Sequence, residues 1–392
     1  AHRLIAQRAA EAGIVLLQNR GDALPLAKGA KRLLVIGAHA DAGVLSGGGS
    51  SSVTPTGSLQ LEGASLAGLD AKRVYQPSAP LQAIEREAGA GRVLYLDGKD
   101  VAATARAARD ADAVILFAEQ WRTEGQDVQS LTLPDRQDAL IDAVAAANPR
   151  TVVVLETGGA VLMPWRDRVA GIVQAFYPGS GGAEAIAGVL FGRVNPSGRL
   201  PYTIPAREAQ LPRPQQVDPK TVVSNPGQPV TKPPVPIDFD VEGADVGYRW
   251  FSRRGETPLY PFGYGLSYTR FGYAGLRAVA TPAGSASVSV DVTNQGLRAG
   301  SEVVQIYAVR VGDPSFQPRL VGFDKLTLAP GQTRTATVAV EPRLLARATA
   351  DGWARPAGEF RFEARRDALT PAAGATLRLP AWQASFGDLH AD

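Results

Sequence analysis

Five short runs rich in valine, isoleucine and leucine constrain this chain more than any other feature. They are "RLLVIG" (32–37), "RVLYLDG" (92–98), "DAVILFAE" (112–119), "TVVVLETGG" (151–159) and "GIVQAFYPG" (171–179). A strand with one wet face alternates apolar and polar residues, whereas these do not. Continuous apolar runs of this length belong to strands covered on both faces, as in a parallel sheet. Helical segments stand between them: "DVAATARAARDA" before the third run and "LPDRQDALIDAVAAANP" after it. In the latter, Leu140, Ile141, Val144 and Ala145 form one stripe, and Asn148-Pro149 ends it. "SGGAEAIAGVLFGRVNPSGRLP" supplies a further helix with a glycine-rich start and an Asn-Pro stop. The alternation predicts an open, mostly parallel α/β sandwich domain of the doubly wound type. The opening "AHRLIAQRAAEAGIVLLQN" predicts an amphipathic helix, with Leu4, Ile5, Ala9, Ala12 and Leu16 near a helical period.

Past Pro205 the periodicity fades. "QLPRPQQVDPKTVVSNPGQPVTKPPVPIDF" holds too much proline for regular structure and predicts an extended connection. After Gly265, "SASVSVDVTNQG", "SEVVQIYAVRV", "LVGFDKLTLAPGQTRTATVAV" and "GEFRFEARR" alternate, with Gly and Asn at the turns, and predict an all-β sandwich. The expected domains are a connector helix and linker (1–30), the α/β domain (31–210), a proline-rich connector (211–264) and the sandwich (265–392).

Composition removes several classes of function. Lys and Arg number 41 against 38 Asp and Glu, with no basic run, so neither a nucleic-acid nor a membrane surface is expected. No apolar stretch approaches the ~20 residues of a membrane span. There is no cysteine, and His2, His39 and His390 are too widely separated to suggest a metal site. A dinucleotide loop needs its glycines at the strand-to-helix turn; Gly47 to Gly49 fall well beyond Gly37, with no helix opening after them. No cofactor is expected.

Two loops follow strands on the edge where open parallel sheets bind ligands. The first, "AHADAGVLSGGGSSSVTPTG", is either a plain surface loop or one whose small residues let backbone and a serine hydroxyl approach a polar ligand. The second, "EQWRTEGQDVQSLTLP", carries Glu119, Trp121 and Glu124. A loop carboxyl whose pKa is raised by partial burial can serve as a general acid. Glu124 is the stronger candidate, and Glu119, at the strand end, is the weaker one or structural. Trp121 either stacks on a sugar or packs beneath the loop.

These segments carry a resemblance. "EAGIVLLQN", "LLVIGAHAD", "TEGQDVQSLTLPDRQDALIDAVAAANPRTVVVLETGGAVLMPW", "FYPGSGGAEAIAGVLFGRVNPSGRLPYTIP", "VGYRWF" and "PLYPFGYGLSYTRF" occur in that order. Together they resemble the C-terminal half of a bacterial family 3 glycoside hydrolase of the β-glucosidase type. "VSVDVTNQGLRAGSEVVQIYAV" resembles the opening of the fibronectin type III-like (immunoglobulin-like) domain these enzymes often carry. The resemblance implies a retaining exo-glycosidase releasing terminal, non-reducing β-D-glucosyl units, with β-xylosidase or exo-β-glucan hydrolase as alternatives within the class. It places the acid/base at Glu124 and a sugar-contacting serine at Ser50, with Ser51 adjacent in the same run.

Retaining hydrolysis uses two carboxylates about 5–5.5 Å apart. In the family the nucleophile is an aspartate on an N-terminal (β/α)8 barrel, which also supplies most sugar-binding residues. The expected partners are therefore that barrel, as a domain or a separate polypeptide, and a β-glucoside or oligosaccharide. The absence of an initiating Met fits a chain cleaved from its barrel. The competing expectation is a non-catalytic carbohydrate-binding or scaffold fragment. Family habit implies a periplasmic or secreted enzyme, with the cytoplasm as the alternative.

Overall fold

The computed structural model describes residues 2–27, 29–37, 39–50, 52–61, 65–66, 69–70, 72–124, 128, 130–214, 238 and 240–387. The serine at 51, the segment 125–127, most of the proline-rich connector and the histidine at 390 lie outside the described residues. The chain divides into two compact units, residues 1–198 with 204–241, and residues 199–203 with 242–392.

The first unit opens with helix α1 (His2–Gly13) and strand β1 (Val15–Asn19). The amphipathic helix expected over the whole opening stretch thus stops at Gly13. Ile14, Val15, Leu16 and Leu17 are all buried, and four consecutive apolar residues cannot share one face of a helix. A strand covered on both sides buries them all. Next come β2 (Leu33–Ile36), the short β3 (Val44–Leu45), β4 (Leu59–Leu61) and β5 (Arg73–Gln76), and then helix α2 (Pro80–Ala88). Strand β6 (Val93–Leu96), helix α3 (Val101–Arg109), strand β7 (Ala113–Gln120) and helix α4 (Gln137–Ala147) follow. Strand β8 (Thr151–Thr157), strand β9 (Gly171–Gln174) and helix α5 (Gly182–Leu190) complete the layers.

One six-stranded sheet runs in the order β1-β9-β8-β7-β2-β6. All neighbours are parallel except β1, which pairs antiparallel with β9 at the edge. Every residue of β8 is buried, as the unbroken run "TVVVLET" requires. Helix boundaries follow local chemistry. The Asp100 side chain accepts the Ala103 amide and caps α3, while Asn148 ends α4 and donates to the carbonyls of Ala108 and Ala111, both at 2.8 Å. The chain passes from β2 to β6 on one side, then crosses back to β7 on the other. The strand order therefore reverses between β2 and β7, the point at which open parallel sheets bind ligands beyond the carboxyl ends of their strands.

The second unit begins with helix α6 (Tyr248–Arg254). Two larger antiparallel sheets follow, one of 271–280, 286–294 and 333–339, the other of 300–310, 319–328, 358–367 and 370–379, with a small third one of 347–348, 352–355 and 382–385. In 286–294 buried and part-exposed residues alternate strictly, the signature of a strand with one face on a core. Val288, Val290, Val292, Val304, Ile306, Phe360 and Phe362 belong to that core. Among the described residues, no helix is long and apolar enough to cross a membrane.

Candidate active site

The loops leaving β2 and β7 flank the switch point, and they are bound to each other. Gly48 donates its amide to the carbonyl of Arg122 at 3.0 Å and forms a parallel bridge with Thr123. The glycines make this approach sterically feasible. A Cβ on Gly48 would sit 2.5 Å from Thr123 Oγ1 and 2.6 Å from Trp121 Cζ2. On Gly49, at φ +85°, a Cβ would sit 2.3 Å from Glu124 Cβ. Side chains therefore cannot replace either hydrogen without separating the loops.

This contact brings Ser50 and Glu124 together. The Ser50 amide donates to Glu124 Oε2 at 2.8 Å, and the Ser50 hydroxyl donates to the same oxygen. Glu124 is fully exposed, and the two Ser50 bonds, the hydroxyl's first, hold its carboxyl below the ordinary glutamate range. Partial burial and an upward shift were the expectation for a general acid; in this chain neither holds. The serine thus stabilises the ionised form of Glu124.

The segment ahead of Glu124 is fixed by residues from two other strand ends. Tyr177, after β9, donates its hydroxyl to the Gln120 carbonyl at 2.6 Å and accepts the Arg122 amide at 2.9 Å. It also accepts the Gly158 amide, and burial pushes its own pKa up to about 12. Its ring lies against Gly47 and Gly158, where a Cβ would come within 3.2 Å and 2.8 Å of it. Arg122 donates to the Gln120 side chain at 3.0 Å and to the Ala160 carbonyl at 2.8 Å. Trp121 is half-buried under Gly48, with its indole nitrogen enclosed and the Arg73 guanidinium 6.0 Å from the ring centroid. Glu119 lies deeper, at the end of β7, with its side chain 14% exposed. Its carboxyl accepts the Tyr75 hydroxyl at 2.7 Å, and its backbone pairs reciprocally with the Gln137 side chain, both bonds at 2.8 Å. The structure thus joins Glu124 and Ser50 directly, and sets Trp121 beneath them. Tyr177 is the residue that reading along the chain missed, because its three partners are distant in sequence. Among the described residues, no group of three or more His, Cys, Asp or Glu is placed to hold a metal ion.

An α/β domain with this switch point, followed by a β-sandwich, matches known proteins over most of its length. The profile of the glycosyl hydrolase family 3 C-terminal domain covers residues 14–268, and that of the fibronectin type III-like domain covers residues 302–368. The chain belongs to glycosyl hydrolase family 3, of which it carries the C-terminal domain. It is similar to a β-glucosidase of Rhizobium radiobacter, 42% identical over 287 residues, or 70% of this chain and 33% of that protein. It is also similar to an exo-α-(1→6)-L-arabinopyranosidase of Bifidobacterium longum, 32% identical over 100% of this chain and 52% of that protein. Among solved structures, a β-glucosidase from Streptomyces venezuelae in complex with D-glucose superposes with TM-score 0.80 at 30% identity, over 96% of this chain and 60% of that one. The chain thus spans from a third to about half the length of these curated relatives.

Proposed function

We propose that this chain supplies the general acid/base of a retaining, β-glucosidase-type exo-glycosidase that removes terminal, non-reducing β-D-glucosyl units. The nucleophilic carboxylate is supplied by an N-terminal (β/α)8 barrel, as a domain or a separate polypeptide. The observation that carries this reading is the pairing of Ser50 with Glu124 at the switch point of the sheet. It sets a carboxylate and a hydroxyl side by side on the ligand-binding edge.

In the first half of such a reaction Glu124 protonates the glycosidic oxygen, and in the second it takes a proton from the attacking water. The geometry in this chain suits the second step, because Ser50 holds Glu124 ionised. The first step needs a higher pKa. Ser50 has a single hydroxyl hydrogen, and giving it to a sugar oxygen withdraws it from Glu124 Oε2. Sugar binding then removes the largest cause of the depression, while the covering barrel adds desolvation and a like charge. Both changes raise the pKa toward that of a working acid. Trp121 enters this reading as the floor of the glycine loop.

One relative is named for an arabinopyranosyl linkage, and the chain lies within only part of each relative. The test is therefore made on the complete enzyme with a panel of aryl β-glucosides, β-xylosides and α-L-arabinopyranosides. Preference for the glucoside, abolished when the barrel polypeptide is withheld, supports the reading. Turnover by this chain alone contradicts it.

A further inference from the structure

Beneath the glycine loop lies a pair of carboxyls that the proposed reaction does not use. Glu119 and Glu156 are register partners on the neighbouring parallel strands β7 and β8, so their side chains leave the same face about 4.8 Å apart at the backbone. Glu156 is 3% exposed. Each carboxyl keeps one buried oxygen with no hydrogen-bond partner, Oε2 of Glu119 and Oε1 of Glu156. Both reach up to the small sheet that starts the glycine loop. Glu156 accepts the Leu45 amide and Glu119 accepts the Tyr75 hydroxyl, while Leu45 and Tyr75 face each other across β3 and β5. Ser46 follows directly, its amide donating to the Val74 carbonyl at 2.9 Å, and then the glycines that lead to Ser50.

Two buried, adjacent carboxylates cannot both be charged at low cost. The groups facing them are few. Arg73 is the cation acting on Glu119, Asp135 adds negative charge to it, and Tyr75 and Tyr177 are phenols held neutral by burial. His39 Nδ1 stands 3.9 Å from Glu119 Oε1, but burial lowers the imidazole's pKa, so it is neutral there and makes no ion pair at neutral pH. Glu156 faces Glu119, the Leu45 amide and the Tyr75 phenol. Burial pushes both carboxyls above the ordinary glutamate value, Glu156 furthest.

We propose that Glu119 and Glu156 share one proton, and that this singly charged pair is a positioning device holding the base of the glycine loop so that Ser50 meets Glu124. Loss of the shared proton sets two negative charges against each other beneath β3 and loosens the loop. A group protonated more readily in the folded than in the unfolded chain contributes stability that is complete below the ordinary glutamate value. That stability is lost as pH rises through the folded pKa.

The inference rests on reading Ser50 and Glu124 as one site, yet its test requires no turnover, so the two can fail separately. Amide hydrogen exchange is followed at Leu45 and Gly48 between pH 5 and 9, and corrected to protection factors. Wild type should lose protection at both amides as pH rises, by up to roughly tenfold per pH unit, the slope of one linked proton. Glu156→Gln keeps an acceptor for Leu45 and can donate to Glu119, so its protection should stay level. Flat wild-type protection, or an alkaline loss that survives in Glu156→Gln, overturns the proposal. Should that variant not fold, the wild-type infrared spectrum decides: a wild-type chain without a protonated carboxylic acid band at pH 7 overturns it equally.

Discussion

Ser50 donates both its amide and its hydroxyl to one oxygen of Glu124, Oε2, across 74 residues of chain. The bond exists because two strands diverging from a switch point deliver a glycine loop and a carboxylate loop to the same place.

Removing the hydroxyl tests what the bond does to the acid. In Ser50→Ala the Glu124 carboxyl should titrate closer to the ordinary glutamate value than in wild type, read by carbon NMR of labelled glutamate. The sign follows from the depression: the tie between the loops is present above the ordinary value and is lost as pH falls through the folded pKa. An unchanged titration would remove Ser50 as the cause. In the complete enzyme the same change should weaken sugar binding by about 2- to 10-fold, one neutral hydrogen bond.

Gly49 and Gly57 offer a controlled pair. Both have positive φ, +85° and +90°, but only at Gly49 would a Cβ strike Glu124; at Gly57 the nearest atom is Pro77 Cβ at 3.6 Å. Gly57→Ala should cost about 1 kcal/mol from backbone strain. Gly49→Ala should cost about 1–3 kcal/mol more from overpacking, and should abolish the Ser50 effect on Glu124. Chemical denaturation of the two variants measures the difference. Equal losses would mean that the loop yields freely at Gly49.

Tyr177→Phe keeps the ring against Gly47 and Gly158 but leaves the Gln120 carbonyl and the Arg122 amide unmatched. The expected loss is about 1–3 kcal/mol of stability. In the complete enzyme kcat should fall with little change in KM, since the acid is displaced while the sugar's own contacts remain. A fall confined to KM would assign Tyr177 to substrate binding.

The sandwich unit has its own buried ion pair. Arg199 donates to Glu302 at 2.6 Å, and Tyr273 donates to the other carboxyl oxygen at 2.6 Å, with the ionic side chains 9% and 6% exposed. Glu302→Ala should destabilise this unit by about 3–5 kcal/mol, because the arginine's charge stays buried when its carboxylate is removed. A loss under 1 kcal/mol by urea denaturation would show that solvent reaches the site.

Much of this arrangement was legible in the chain itself, and the failures have physical reasons. All five apolar runs are strands of the parallel sheet, and four are buried on both faces, Thr151–Thr157 most plainly. Val93–Leu96 is instead an edge strand with Leu94 53% exposed, so an unbroken apolar run did not mean full burial there. Glu124 could be singled out because the ligand edge of such a sheet is known once its strands are, whereas Ser50 came from the family resemblance of its loop. Residues 14–19 misled because Ala and Leu at helical spacing run directly into an edge strand, and a tertiary partner at β9 decides the outcome. The first sandwich strand, Phe271–Ala280, shows no clean alternation, since most of its residues are partly exposed. Glu156 sits at the end of an apolar run, where a carboxylate ordinarily marks the passage to solvent. Only the register of two strands reveals it as buried beside Glu119.

The central claim is that Glu124 exchanges the proton in both halves of a retaining reaction. The most direct measurement is azide rescue of Glu124→Ala in the complete enzyme, with an aryl β-glucoside whose leaving group needs no proton. The account predicts a covalent glycosyl-enzyme that accumulates, and turnover restored by azide, an anionic nucleophile that needs no base. It also predicts that glucosides with poor leaving groups slow by roughly 10²- to 10⁴-fold and are not rescued. Glu119→Ala, which removes a buried structural carboxyl, should lose stability and show no rescue. Rescue of the Glu119 variant instead of the Glu124 variant would contradict the account.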